Sequence, residues 1–174
     1  MYQPTESAVL VVVPPAEPAV ARHRRRFDLA AGWGVPAHVT VLYPFVPPPA
    51  IDERVLERLG RAVAAVPRFR AELPRTGWFG TDVLWLAPVP ASSFRSLMTS
   101  VWQAFPECPP YGGQLDDVMP HLTVGHDAPV NELQAAELDV LAHLPIRMEV
   151  TTVQVMVGAK APNSWRTIAE LPLG

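Results

Sequence analysis

The pattern H-x-T-x occurs twice in this chain of 174 residues, at 38–41 and again at 121–124. Each copy lies in a run of residues that favour β-strands. Side chains two positions apart on a strand point to the same face. Each copy is therefore predicted to place an imidazole beside a hydroxyl group, His38 beside Thr40 and His121 beside Thr123.

The segments around the two motifs repeat in the same order. Each half has an apolar strand, a helical pattern, the motif strand, a second helical pattern and an alternating strand. The ranges are 9–14, 17–31, 37–43, 51–66 and 67–73 in the first half, and 83–88, 92–105, 121–125, 131–144 and 145–150 in the second. This order predicts a single bilobal domain over 1–174. It would contain an internal duplication of about 7–75 and 82–157 and a C-terminal hairpin at 146–172.

A duplicated strand-helix-strand unit predicts two lobes related by a pseudo-two-fold axis. Such an axis would bring together the two motif strands, whose histidines are 83 residues apart in sequence. The second half has one extra segment, 106–119, which is rich in proline and glycine and is predicted to be a loop. The acidic pair at 116–117 is predicted to belong to it.

Composition limits the functional class. The net charge of −3 argues against a general nucleic-acid coat protein, which would be basic. The single cysteine, Cys108, excludes an intrachain disulfide and favours a reducing cytoplasm. No apolar run is long enough to span a membrane. Thirteen arginines, one lysine and 21 prolines indicate a GC-rich bacterial genome.

Two histidines with hydroxyl neighbours are suited to phosphodiester chemistry. A histidine titrates near pH ~6.5, so it can donate or accept a proton at neutral pH. In-line cleavage needs a base on the attacking oxygen and an acid on the leaving oxygen, on opposite sides of phosphorus. The threonine hydroxyls can donate hydrogen bonds to the non-bridging oxygens, where negative charge develops.

The doubled motif resembles the two-histidine (2H) phosphoesterases, closest to the 2′-5′ RNA ligase-like and 2′,3′-cyclic phosphodiesterase branch. The strings that carry the resemblance are Pro36–Phe45 and Pro120–Gly125, each with a proline before its histidine. The resemblance implies an α+β fold with two pseudo-symmetric lobes of antiparallel sheet and outer helices around a central cleft. It also implies action on 2′,3′-cyclic phosphate or 2′-5′ linkages of RNA ends or nucleotides, with no metal or other cofactor.

Residue by residue, the resemblance implies catalytic roles for His38 and His121 and substrate binding by Thr40 and Thr123. One position departs from the family pattern. Members of the family often carry arginine five residues after the second motif histidine, and here that position is His126. An imidazole cannot form the paired hydrogen bonds of a guanidinium with phosphate. This departure indicates a smaller or different cyclic phosphoester, with His126 as a weaker substrate-binding candidate.

Further substrate-binding candidates have competing structural interpretations. Tyr43 and Phe45 follow the first motif on the face of Val41, which favours core packing. Trp165 could stack on a nucleobase, as could Trp78 and Phe79, although a core role is favoured for each of these aromatic residues. Lys160, beside the turn of the C-terminal hairpin, could supply positive charge at the rim of the cleft.

Other interpretations stay open. His121 and His126 could be metal ligands, but no carboxylate or cysteine lies at a spacing that would complete a site. The basic segment 23–26 is interpreted as a solvated helix face, with an edge that faces phosphate as the alternative. The same cleft could hold a nucleotide or phosphorylated metabolite without turnover, or both motifs could be core strands with distant, buried histidines. The chain is expected to be a monomer, with RNA ends or a small cyclic phosphoester as its partner and no membrane association.

Overall fold

The computed structural model describes residues 2–114 and 118–174, which contain eight β-strands and five α-helices. The strands are β1 (Glu6–Val12), β2 (His38–Leu42), β3 (Phe69–Phe79), β4 (Val83–Val89), β5 (Leu122–His126), β6 (Ile146–Val150), β7 (Thr152–Gly158) and β8 (Arg166–Pro172). The helices are α1 (Glu17–Phe27), α2 (Leu29–Gly32), α3 (Glu53–Ala64), α4 (Ala91–Ala104) and α5 (Val130–Leu141). The acidic pair at 116–117 lies outside the described residues.

The strands form two four-stranded antiparallel sheets. The first sheet has the order β2-β1-β7-β8 and the second has the order β5-β4-β3-β6. Each motif strand is thus an edge strand beside the apolar strand that begins its half of the chain. The α+β class with two antiparallel sheets and helices, implied by the family resemblance, is confirmed. No helix in the described part of the chain is long and apolar enough to cross a membrane.

The two alternating strands that end the sequence repeats do not occupy separate sheets. β3 and β6 pair with each other in the second sheet, from Phe69 opposite Val150 to Leu73 opposite Ile146. The position beside β1 is taken by β7, which pairs with β8 to form the C-terminal hairpin. The two halves of the chain therefore contribute strands to each other's sheets, and the extent of the duplication stays a prediction.

The helices connect the two halves further. α1, from the first half, packs against motif strand β5, and α4, from the second half, packs against motif strand β2. One continuous apolar core includes Val9 and Val11 of β1 together with Leu84 and Leu86 of β4. Burying apolar surface is the main favourable contribution to folding. Because both sheets share this core, their relative position is held by packing.

The predicted helix over 17–31 is divided at Asp28. This residue has an extended backbone, and its side chain accepts a hydrogen bond from the backbone N–H of Ala30, which caps α2. The other carboxylate oxygen of Asp28 lies 3.0 Å from Nη2 of Arg24. The Asp28 side chain therefore ends one helix, begins the next and neutralises a buried cation.

The interpretation of residues 23–26 as a solvated face is wrong for two of the four. His23 and Arg24 are buried, whereas Arg25 and Arg26 are exposed. His23 Nε2 lies 2.6 Å from a carboxylate oxygen of Asp139, and Arg24 Nη1 donates to the carbonyl of Val35 at 3.0 Å. A helix that packs against both a strand and another helix has a wide buried face, so polar side chains on that face need buried partners.

Candidate active site

Both motif histidines make the same hydrogen bond at the start of their motif. The Nδ1 of His38 lies 2.7 Å from the carbonyl oxygen of Pro36, and the Nδ1 of His121 lies 2.7 Å from the carbonyl oxygen of Met119. A carbonyl oxygen can only accept, so Nδ1 carries the proton in both rings. In the neutral imidazole, Nε2 is then the basic nitrogen and is available to a substrate. Both side chains are half-buried.

A β-bulge follows the threonine of each motif. In the first sheet, Leu10 pairs with Thr40 while the preceding Val9 pairs with Leu42. In the second sheet, Trp85 pairs with Thr123 while the preceding Leu84 pairs with Gly125. The fourth residue of each H-x-T-x pattern is the unpaired one. A bulge bends its strand and changes the direction of the side chains that follow it.

His38 and Thr40 line a cavity of about 170 Å³ on the first sheet. Most of its wall is apolar or aromatic and comes from the outward side of the first sheet and from the segment after α2. The remaining lining residues are Glu6, Ala8, Leu10, Ala30, Trp33, Val35, Tyr43 and Trp165. The cavity is smaller than the ~300–1,000 Å³ typical of pockets that enclose a drug-sized ligand. Its size suits a ring or a phosphate group rather than a complete dinucleotide.

The pKa of His38 is lowered from its usual 6.5 to about 4. Burial of the ring is the largest cause, and the positive charge of Arg24 adds to it. The hydrogen bond to Pro36 and the negative charge of Asp28 oppose the shift. His38 is therefore a neutral imidazole at pH 7 and can accept a proton.

His121 lies against two aromatic rings of the second sheet. Its ring centroid is 5.1 Å from that of Phe79 and 6.2 Å from that of Trp85, both in edge-on geometry. Phe79 and Trp85 are stacked on each other at 4.8 Å. Burial lowers the pKa of His121, and its hydrogen bond to Met119 opposes this shift. Within residues 2–114 and 118–174, no fixed cation contributes to the shift of the His121 pKa, in contrast to that of His38.

The fold brings the two motifs together. β2 and β5 contact each other although they belong to different sheets. The two imidazoles are close enough that the charge of His121 contributes to the lowered pKa of His38. Two half-buried histidines at contacting strands disagree with the interpretation of both motifs as core strands with distant, buried histidines.

The model of the 2′-5′ RNA ligase superfamily matches residues 12–162, which is most of the chain and includes both motifs. The chain belongs to the 2′-5′ RNA ligase superfamily. The predicted family is therefore confirmed. No curated protein sequence is similar enough to the chain to count as a match.

Solved structures share the fold across nearly the whole length of the chain. Escherichia coli LigT complexed with 3′-AMP superposes with a TM-score of 0.62 at 17% identity, covering 98% of this chain and 99% of LigT. A protein described as a phosphoesterase gives a TM-score of 0.61 at 15% identity, with coverage of 98% and 99%. The protein TT0787 of Thermus thermophilus gives 0.59 at 16% identity, with coverage of 96% and 97%. At these identities the likeness establishes the fold alone.

The bulge in β2 places Tyr43 differently from the sequence expectation. Tyr43 lines the cavity with His38 and Thr40 instead of following Val41 into the core. Burial raises the pKa of Tyr43, and the charge of Glu6 and a hydrogen bond to its carboxylate raise it further. The phenol of Tyr43 is therefore neutral and contributes a hydroxyl group to the cavity wall.

Phe45 does not line the cavity. It is buried in the main core and packs edge-on against Phe105, with ring centroids 4.9 Å apart. The expectation that Phe45 contacts substrate is not supported by this position. The core interpretation of Phe45 agrees with the structure.

Trp165 lines the His38 cavity, and Lys160 lies near Glu6, which is another residue of the cavity wall. The ring of Trp165 covers Gly158 so closely that a Cβ atom at that position would collide with it. The indole N–H of Trp165 donates to the carbonyl of Ala159 at 3.1 Å, which fixes the ring beside the cavity. Lys160 is exposed, with Nζ 4.0 Å from a carboxylate oxygen of Glu6. The substrate contacts of both residues stay predictions.

His126 does not line the His38 cavity. It is exposed, and its Nδ1 lies 2.7 Å from a carboxylate oxygen of Asp127. It lines a second, larger cavity beside α1 and α2. Among the described residues, no three histidine, cysteine or acidic side chains group in a way that could hold a metal ion.

Four residues near the motifs were missed by sequence reasoning: Glu6, Arg24, Trp85 and Tyr111. Tyr111 belongs to the extra loop, and its backbone N–H donates to the carbonyl of Tyr43 at 2.7 Å. Burial raises the pKa of Tyr111, and a hydrogen bond with Thr40 opposes that rise. The sequence feature that could have pointed to Tyr111 is the loop at 106–119, which interrupts only one of the two repeats. Glu6, Arg24 and Trp85 carry no comparable signal.

Proposed function

We propose that this protein is a metal-independent phosphoesterase that acts on 2′,3′-cyclic phosphate or 2′-5′ linkages of RNA ends or nucleotides. The observation that carries the proposal is the matched hydrogen bond of His38 and His121 to the carbonyl two residues before each. Each bond leaves Nε2 free and orients its ring. Two oriented imidazoles in contacting strands are suited to serve one phosphate from opposite sides.

We assign the general base to His38. Its pKa is lowered to about 4, partly by the buried charge of Arg24, so the ring is neutral over most of the pH range. In hydrolysis, Nε2 of His38 takes a proton from water while the water oxygen forms a bond to phosphorus. A base of this kind typically contributes ~10²–10⁴-fold to the rate.

His121 then acts as the general acid. The bond from phosphorus to the leaving sugar oxygen breaks, and protonated Nε2 of His121 supplies its proton to that oxygen. The pKa of His121 is lowered by burial without help from a fixed cation, and a bound phosphate anion would favour its protonated form. The catalytic cycle closes when a proton passes from His38 to His121 through solvent.

Thr40 and Thr123 would donate hydrogen bonds to the non-bridging oxygens. Each lies two residues after its histidine on a motif strand, directly before the bulge. A donor that meets charge as it develops stabilises the transition state more than the ground state. The hydrogen bond between Thr40 and Tyr111 would orient the Thr40 hydroxyl before substrate binds.

The test is hydrolysis of a panel of 2′,3′-cyclic nucleotides and 2′-5′-linked dinucleotides in the presence of EDTA. We expect turnover in chelator and its loss in the His38→Ala, His121→Ala double variant. Retained turnover in the double variant would exclude two-histidine catalysis. Binding of nucleotides without turnover of any member of the panel would instead favour a nucleotide-binding protein that uses the same cleft. Size-exclusion chromatography would test whether the protein is a monomer, as expected.

A further inference from the structure

A cavity of about 660 Å³ lies between the α1–α2 corner and the turn that follows β5. Its volume is within the range of pockets that hold small ligands, ~300–1,000 Å³. The walls include Phe27, Trp33 and the highly exposed Leu29, together with Arg25, Arg26 and His126. His126 occupies the position at which members of the family often carry arginine.

The acidic side chains at this cavity are already paired. Asp28 caps α2 and forms its ion pair with buried Arg24 at 3.0 Å. Asp127 lies 2.7 Å from the imidazole of His126. Arg24 therefore neutralises the Asp28 carboxylate, whereas the Asp127 carboxylate is neutralised only when the imidazole of His126 is protonated.

The arginines at this cavity are not paired to the same extent. Arg26 contacts Glu132 at 3.2 Å, and its guanidinium lies over the ring of Phe27. Arg25 is exposed and has no ion-pair partner among the described residues. The cavity therefore combines a free guanidinium with an aromatic wall, which is the chemistry that recognises phosphate.

This cavity adjoins the His38 cavity. Ala30 and Trp33 line both of them, so the two spaces meet across the segment of α2. A substrate with its reacting phosphate beside His38 would have to pass Ala30 and Trp33 to reach Arg25. Arg25 and His126 line the same cavity, so α1 supplies a guanidinium beside the position at which the family pattern has arginine.

We propose that the larger cavity is a subsite for a second phosphate of the substrate and that Arg25 is its main cation. The proposal deepens the phosphoesterase function and rests on it. The second phosphate is either a 5′-phosphate on the cyclic nucleotide or the backbone phosphate of a preceding nucleotide. The two sources share one chemistry and are separated by the choice of substrates.

The test compares three substrates that differ in the second phosphate. They are a nucleoside 2′,3′-cyclic phosphate, the same compound with a 5′-phosphate, and a dinucleotide that ends in a 2′,3′-cyclic phosphate. Each is assayed with the unaltered protein, Arg25→Ala, Arg25→Lys and Arg54→Ala. Arg54 is the matched control because it is exposed on α3, lines neither cavity and has no ion-pair partner among the described residues.

We expect the unaltered protein to favour at least one substrate that carries a second phosphate. Arg25→Ala should raise KM for that substrate about three- to tenfold relative to the substrate without it, which is the range for one exposed charged hydrogen bond. Arg25→Lys should retain part of the preference, and Arg54→Ala should retain all of it. The substrate that responds identifies the source of the phosphate. Equal changes for all three substrates, or no preference at the start, would overturn the proposal.

Calorimetric binding separates this proposal from the proposed function. The ligands are a nucleoside 3′-monophosphate and the corresponding nucleoside 3′,5′-bisphosphate, neither of which requires turnover. A preference for the bisphosphate that Arg25→Ala abolishes would support the subsite even if no cyclic phosphate is hydrolysed. Hydrolysis without any Arg25-dependent preference would leave the phosphoesterase intact and exclude the subsite.

Discussion

The two motif regions have the same local geometry and different surroundings. Both histidines bind the carbonyl two residues before them, and both threonines precede a β-bulge. His38 faces an open cavity with the buried guanidinium of Arg24 nearby. His121 lies instead against the stacked rings of Phe79 and Trp85.

These different surroundings explain how the same motif can serve as a base in one copy and as an acid in the other. A fixed positive charge disfavours the protonated form of a neighbouring imidazole, whereas at His121 burial of the ring is the main cause that lowers the pKa. Under the proposed assignment, the lowered pKa keeps His38 unprotonated and able to accept a proton, and His121 is the residue that carries one. Asymmetry in catalysis would then arise from the environment of the two motifs, since their four-residue patterns match.

The largest expected effect separates the two histidines by their chemical roles. His38→Ala and His121→Ala should each lower kcat about 10²–10⁴-fold on a substrate with a sugar leaving group. A p-nitrophenyl phosphodiester, whose leaving group needs no proton, should restore much of the loss in His121→Ala and little in His38→Ala. Comparison of kcat for the two substrates measures this. The reverse pattern of rescue would exchange the acid and base assignments.

A smaller effect compares the two hydroxyl groups. Thr40→Val and Thr123→Val keep the side-chain shape and remove a donor, and each should lower kcat by about 10–10²-fold, less than the loss of an ideal oxyanion donor. Thr40→Ser and Thr123→Ser are the matched controls and should retain most activity. Tyr111→Phe should lower kcat only by removing the hydrogen bond between Tyr111 and Thr40. An equal response of kcat to Tyr111→Phe in unaltered and Thr40→Val backgrounds would show that Tyr111 does not act through Thr40.

The pH profile tests the electrostatic asymmetry. A base must be unprotonated, so kcat/KM should fall as pH drops through the pKa of His38, about 4. An acid must be protonated, so kcat/KM should fall as pH rises through the pKa of His121, which lies below 6.5. We therefore expect a bell-shaped profile with its maximum on the acidic side of pH 6.5.

Substitutions of Arg24 test whether its charge lowers the pKa of His38. Arg24→Gln removes the nearby positive charge and should move the acidic limb to higher pH by about one unit. Arg24→Lys retains the charge and is the control. NMR titration of the His38 ring would follow the pKa directly, provided that circular dichroism shows folded protein. An acidic limb that is the same in both variants would contradict the role of Arg24.

The smallest expected effect concerns the two tryptophans that cover glycines. Trp165 lies over Gly158 and donates to Ala159, whereas Trp85 lies over Gly77 and its buried indole N–H has no hydrogen-bond partner among the residues that the structure describes. Trp165→Phe should therefore lower the free energy of unfolding by about 1 kcal/mol more than Trp85→Phe. Urea unfolding measures both. A greater loss in Trp85→Phe would mean that its indole N–H is satisfied in solution.

Much of the fold and site was predictable from the sequence. Strand alternation and helical spacing depend on short-range geometry, so the motif strands and the ranges of α3, α4 and α5 were predicted within a few residues. The burial of Arg24 and the turn of Tyr43 toward the cavity were not. The burial of Arg24 depends on long-range packing, and the position of Tyr43 depends on a β-bulge. Neither feature produces a periodic pattern in the sequence.

The sequence by itself determined that two imidazole-hydroxyl pairs exist, that each lies on a strand and that a repeat surrounds them. Local backbone geometry is sufficient for those conclusions. Only the tertiary structure decided that β3 and β6 share one sheet, that each half supplies a helix to the other's motif strand, and that Arg24 lowers the pKa of His38. Those features depend on which distant surfaces bury each other, and the energy of that burial belongs to the whole core rather than to any one segment.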